Sequence, residues 1–266
     1  MYSEILYEVR GPVARVTLNR PDKRNPLGPT TIGELLHALD AARADEAVRV
    51  IVLTGAGKVF SAGGDLSSFA AVGGSGGTPL QSTGGGATRP GTFVDLNLAL
   101  TRVGKPTLAM VNGHALAGGL GLVVACDLAI AADDALFGTP EINVGLWPMM
   151  IMATIFRNVP RKRGLELVMT GDKISAAEAV SLGLITRSVP RERLEAEVGA
   201  LAEKLAAKSP LIMRMGLDAF YRTQDMELEP ALAHLQAQLV SVLGTEDARE
   251  GLTAFLEKRA PVWKGR

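Results

Sequence analysis

Apolar and polar positions alternate along Val13–Leu18 (VARVTL), the pattern of a strand with one buried face. Residues 30–43 then change to helical spacing, which puts Ile32, Leu35, Leu36 and Leu39 on one side. Thr31 and Glu34 stand at the spacing of a capping box at the start of that helix. Residues 48–53 (VRVIVL) form a β-branched run suited to a strand buried on both faces, and Thr107–Val111 and Leu128–Ala132 repeat that character. Strands separated by helical segments predict an α/β fold.

Two stretches break this rhythm. Residues 71–92 are too rich in glycine and short polar side chains to bury a core, and strands resume directly afterwards, so they read as a loop inserted within one domain. Beyond Pro190 the pattern is helical only. Leu194, Val198, Leu201 and Leu205 share one face, Leu228, Leu232, Leu235 and Leu239 share another, and a last helix is expected over residues 247–259. Apolar helix faces with little chain left to cover them predict packing on the core or on a second subunit.

Composition narrows the function. At 266 residues, 47% hydrophobic and 21% charged, the chain is long enough for one large core and too apolar for wholesale disorder. The 28 Lys and Arg balance the 28 Asp and Glu, so no global field recruits nucleic acid or an anionic membrane. No apolar run reaches the roughly 18 residues that span a bilayer, and the opening residues lack a basic stretch followed by an apolar one, which predicts a cytoplasmic protein. Cys126 lies in an apolar stretch with no basic neighbour in sequence and reads as a buried structural thiol. His37, His114 and His234 are scattered, so no metal site and no redox cofactor is expected.

Two motif matches fail on context. Gly55 and Gly57 follow a strand as a dinucleotide fingerprint would, but Phe60 takes the third glycine position. The letters G-x-S-x-G occur at residues 73–77 with glycine-rich loop on both sides, where a nucleophile elbow needs a strand and a helix. Three other segments are informative: VFSAGGDLSSF at 59–69, VNGHALAGGLGLVVACD at 111–127 and FGTPEINVGLWP at 137–148. The first two put glycines where a strand gives way to a turn, a geometry that can bring backbone N–H groups close to a ligand oxygen. Either one alone reads more readily as a tight structural turn.

In this order and spacing, the three segments resemble the enoyl-CoA hydratase/isomerase (crotonase) family, with stretches of the type F-x-A-G-x-D, N-G-x-A-x-G-G-G and P-E-I-x-x-G-x-x-P. The likeness extends to VARVTLNRPDKRNPL, LVMTGDKISAAEAVSLGLI and AFLEKRAPVWKG, nearly the whole chain. It implies a spiral of ββα units over residues 1–195 and a C-terminal helical oligomerisation subdomain over 196–266, assembled as a homotrimer or hexamer. It implies an acyl-CoA thioester as substrate, with coenzyme A part of that substrate and no separate cofactor. The thioester oxygen would sit between the amides of Gly64 and Gly118, with Glu141 as the general acid/base and Ala62, Asp65, Leu66 and Met149 lining the ligand. Lys23, Arg24 and Lys258 resemble residues placed near the CoA phosphates, and Asp65 suits a helix cap better than acid–base work.

The sequence departs from the family pattern in three places. Gly121 stands where efficient hydratases carry a second glutamate. Met149, Met150, Ile151 and Met152 replace a small, glycine-rich stretch, and Ala117 replaces a glycine. A single acid suffices to move a proton from C2 to C4 of a 3-enoyl thioester, which favours isomerisation over hydration. Hydration, hydrolysis, carbon–carbon bond chemistry and acyl-CoA binding with little turnover stay open.

Overall fold

The computed structural model of the protein describes residues 2–65 and 91–266. Strands β1 (Ile5–Arg10), β2 (Val13–Leu18), β4 (Val50–Gly55), β7 (Thr107–Val111), β9 (Leu128–Ala132) and β12 (Arg187–Val189) lie in that order in a six-stranded sheet, antiparallel between β1 and β2 and parallel beyond. A four-stranded sheet runs β11 (Lys173–Ser175), β10 (Leu136–Gly138), β8 (His114–Leu116), β5 (Val59–Ser61). A short parallel pair joins β3 (Pro26–Leu27) to β6 (Gly63–Gly64). Successive units send their first strand to the large sheet and their second to a smaller one: β4 then β5, β7 then β8, β9 then β10. Helix α1 (Pro29–Ala44) follows β2 and β3, α2 (Phe93–Arg102) lies between β6 and β7, and α3 (Gly118–Ala125) joins β8 to β9, which is the ββα spiral expected from the sequence.

The run of β-branched residues in β4 has a simple cause. Ile51 and Leu53 enter the main core with Phe60, Leu120 and Phe137, while Val50 and Val52 point to a second core on the opposite face of the sheet. That face is covered by α7 (Leu194–Ala206), whose Leu194, Val198 and Ala202 are buried. Burying a side chain such as Leu194 or Val198 contributes about 1.5–3 kcal/mol, so α7 is held by apolar contact rather than by its propensity alone. The division expected at residue 195 falls just inside this helix. Helices α4 (Met149–Ile155), α5 (Arg161–Thr170) and α6 (Ala176–Leu182) precede it, and α8 (Pro210–Thr223), α9 (Leu228–Leu243) and α10 (Glu246–Leu256) follow. The apolar stripe of α9 is exposed, with Leu228 at 73% and Leu239 at 56%.

The capping box expected at Thr31 and Glu34 does not form. Helix α1 begins at Pro29 with Gly28 as its cap, because proline is suited to the first helical turn. The buried Glu34 carboxylate instead accepts from the backbone N–H of Ser3 (2.7 Å), Glu4 (2.8 Å) and Ile5 (3.1 Å), and from the Ser3 hydroxyl. Those bonds hold its pKa below the usual carboxylate range despite the opposing effect of burial. The last helix ends at Leu256, three residues short of the expected limit, and Lys258 turns the chain with φ 55°.

Candidate active site

The two glycine-bearing segments meet face to face. Strand β6 ends in Gly63 and Gly64; helix α3 opens at Gly118 behind Ala117, whose φ of 51° and ψ of −128° are rare for a residue with a side chain. A Cβ on Gly63 would fall 2.5 Å from the Ala117 Cβ and 3.0 Å from the Gly118 nitrogen, and Gly63 itself has φ 99°. Only glycine allows that approach. A Cβ on Gly118 would be 3.4 Å from the Gly64 nitrogen, so the Gly64 amide lies beside the start of α3. The Gly118 N–H belongs to the first turn of α3, where amides have no carbonyl partner within the helix and the helix dipole favours negative charge.

Strand pairing anchors the segment that leads to Glu141 beside the turn that opens α3. Gly138, at the end of β10, pairs with Leu116 of β8 and accepts the Ala117 N–H at 2.9 Å, and Glu141 follows three residues later in the 3-10 turn Pro140–Val144. Its side chain is half-buried, and its Oε2 is buried without a hydrogen-bond partner. Burial raises the pKa of this carboxyl, and its own backbone N–H only partly opposes the shift. An acid poised in this way exchanges protons more readily near neutral pH than a solvated one.

Gly121 lies one turn along α3 from Gly118. A Cβ there would fall 2.2 Å from Ile151 Cγ2, 2.9 Å from Ile151 Cβ and 3.1 Å from Phe93 Cζ. Ile151, on α4, is 4% exposed and Phe93 9%. The two departures seen separately in the sequence are thus one packing arrangement, in which the apolar α4 fills the volume that a side chain at 121 would need. Within 149–152 the residues divide: Ile151 turns inward, whereas Met149 (66%) and Met150 (40%) are largely exposed.

Ala62, Gly64 and Asp65 are each partly accessible along the β5–β6 turn, and Leu66 lies outside the described residues. Asp65 faces Arg20, whose Nη1 is 3.7 Å from Asp65 Oδ2 and 3.0 Å from Glu4 Oε1. Lys23 and Arg24 are exposed beside the same turn, and the Arg24 carbonyl accepts the Ala62 N–H at 2.9 Å. Lys258 is exposed just past the end of α10. His114 Nδ1 accepts the Leu136 N–H at 3.1 Å, a bond between neighbouring strands. Cys126 is buried, and burial pushes its thiol pKa up. Among the described residues no group of three or more His, Cys, Asp or Glu is arranged to hold a metal, and no helix is long and apolar enough to cross a membrane.

Sequence reasoning did not single out Arg20, Ser61, Phe93 or the inward turn of Ile151. The signal for Ile151 was available, since a glycine inside the apolar helical run GLGLVVA implies a neighbour pressed against the backbone.

Residues 8–266 match the family model described as enoyl-CoA hydratase/isomerase. The chain is 33% identical over 265 residues to the 2,3-dehydroadipyl-CoA hydratase of Escherichia coli K12, covering 99% of this chain and 100% of that one. The crystal structure of human enoyl Coenzyme A hydratase domain-containing protein 3 superposes with a TM-score of 0.91 at 32% identity, over 98% of this chain and 100% of the other. An enoyl-CoA hydratase from Mycobacterium smegmatis gives 0.87 at 34% identity, over 98% and 99%.

Proposed function

The chain belongs to the enoyl-CoA hydratase/isomerase family, and on that premise we propose that it isomerises a 3-enoyl-CoA to the conjugated 2-enoyl-CoA with Glu141 as its one acid/base. Removing a proton from C2 of the thioester throws negative charge onto the thioester oxygen. The amides of Gly64 and Gly118 stabilise that enolate, and loss of one such donor costs about 10²–10³ in rate. Glu141 takes the C2 proton and returns it to C4 of the dienolate, so atoms and charge balance with no second acid. Ala62, Asp65 and Met149 border the acyl group, and Lys23, Arg24 and Lys258 supply positive charge for the CoA phosphates.

The observation that carries this reading is the contact between Ile151 and Gly121. Hydration needs a second group to orient water, and at position 121 the space for a side chain is occupied. Hydration is the second reading, favoured by the names of the relatives, among them the 2,3-dehydroadipyl-CoA hydratase. The exposed stripes of α9 and α10, with Phe255 at 82% and Leu256 at 80%, support assembly into the trimer or hexamer the sequence suggested.

Turnover of a 3-enoyl-CoA and of a 2-enoyl-CoA, followed by the absorbance of the conjugated thioester, tests the proposal, with Glu141→Gln as control. Rising absorbance from the 3-enoyl substrate that disappears in the variant is the expected result. Falling absorbance from the 2-enoyl substrate at a comparable rate refutes the one-acid argument.

A further inference from the structure

Ser61 is fully buried at the end of β5, two residues before the first of the paired glycines and outside every role assigned above. Its hydroxyl donates to the Asn25 carbonyl at 2.8 Å and accepts the Gly63 N–H at 3.1 Å. Asn25 is a fixed base for that bond. It is 1% exposed with φ 52°, its Nδ2 donates to the carbonyls of Ala56, Val59 and Phe60, and its Oδ1 accepts the Arg20 N–H.

The other side of Ser61 bears on the second amide. A Cβ on Gly119 would fall 2.6 Å from the Ser61 carbonyl oxygen and 2.7 Å from its Cβ, so Ser61 lies directly against the first turn of α3. The pairing of β5 with β8 shifts register between Val59 and Ser61, an irregularity of the kind that re-aims a side chain beside a site. One residue thus holds the Gly63 peptide by a hydrogen bond and touches the helix that presents Gly118.

We propose that Ser61 is a positioning residue that sets the spacing between the Gly64 and Gly118 amides. The inference rests on the oxyanion reading above but not on which reaction follows it. Donors act on a developing oxyanion only at the right distance, and displacement on the order of an ångström costs up to about 10²-fold in rate.

Ser61→Ala removes one oxygen and adds no bulk, leaving the Asn25 carbonyl and the Gly63 N–H without this partner. Two measurements test it. Steady-state kinetics on the 3-enoyl-CoA should show kcat lowered about 10-fold with KM within about two-fold, the signature of an interaction made in the transition state. Infrared difference spectra of a bound saturated acyl-CoA labelled with ¹³C at the thioester carbonyl should show a downshift of the C=O stretch in the native protein and a smaller one in the variant. If the native protein gives no downshift, the oxyanion reading itself fails. If native and variant give the same downshift and the same kcat, or if only KM moves, the role of Ser61 is overturned while the oxyanion reading stands.

Discussion

Replacing Gly121 by alanine puts the packing argument at risk in the most direct way. The new methyl would lie 2.2 Å from Ile151 Cγ2, where carbon atoms ordinarily rest about 3.5–4.0 Å apart. Either α4 retreats by more than about 1 Å or Ile151 leaves its rotamer, and overpacking of this kind costs about 1–3 kcal/mol. Ile151→Ala alone empties a buried site and costs about 2–5 kcal/mol. In the double variant the alanine methyl at 121 enters the space vacated by Ile151, so the total should fall short of the sum by about 1–3 kcal/mol. Urea denaturation of the four proteins at one protein concentration measures all the terms. Additivity within about 0.5 kcal/mol, or a neutral Gly121→Ala, would show that Ile151 does not fill the space above Gly121.

Four further outcomes follow from the site and its supports. The pKa of Glu141 is raised by burial, so kcat/KM should fall toward acid with a midpoint above the ordinary carboxylate range. The same shift means that the fold loses stability as pH rises from the unfolded-state pKa through the folded one; Glu141→Gln should therefore melt higher than native protein above that window and equally below it. Gly63→Ala drives a methyl toward Ala117 and the Gly118 nitrogen and should lower kcat about 10²-fold, measured in the isomerisation assay. Tyr221 donates to Asp127, which also accepts from the Thr107 N–H and hydroxyl at 2.7 Å each, tying α8 to the core; Tyr221→Phe should cost about 1–3 kcal/mol in urea denaturation without changing KM.

The parts of the fold that sequence revealed are those set by local periodicity. The β-branched stretches of β4, β7 and β9 and the helical spacing of α1 and α7 each announce their partners through the side of the element they make apolar. The glycine segments were legible as turns, and their joint meaning came from order and spacing across the chain. What sequence did not reveal depends on non-local approach. Glu34 stands at the spacing of a cap, yet its carboxylate is claimed by amides some thirty residues earlier. Ile151 and Gly121 read as two unrelated departures because nothing in a linear pattern says that α4 crosses α3 at that point. Ser61 was hidden for the same reason, since its two hydrogen bonds and its contact with Gly119 join segments from three parts of the chain.

The clasp that Glu34 makes on the start of β1 also bears on how the protein behaves in concentrated solution. Strand β1 is the outermost strand of the large sheet and covers β2, whose Ala14, Val16 and Leu18 are almost wholly buried. Detachment of β1 would leave β2 as a bare edge ready to pair with another molecule. By fixing the amides of Ser3, Glu4 and Ile5, one carboxylate keeps that edge capped. Acid conditions that protonate it favour not only local opening but edge-to-edge aggregation.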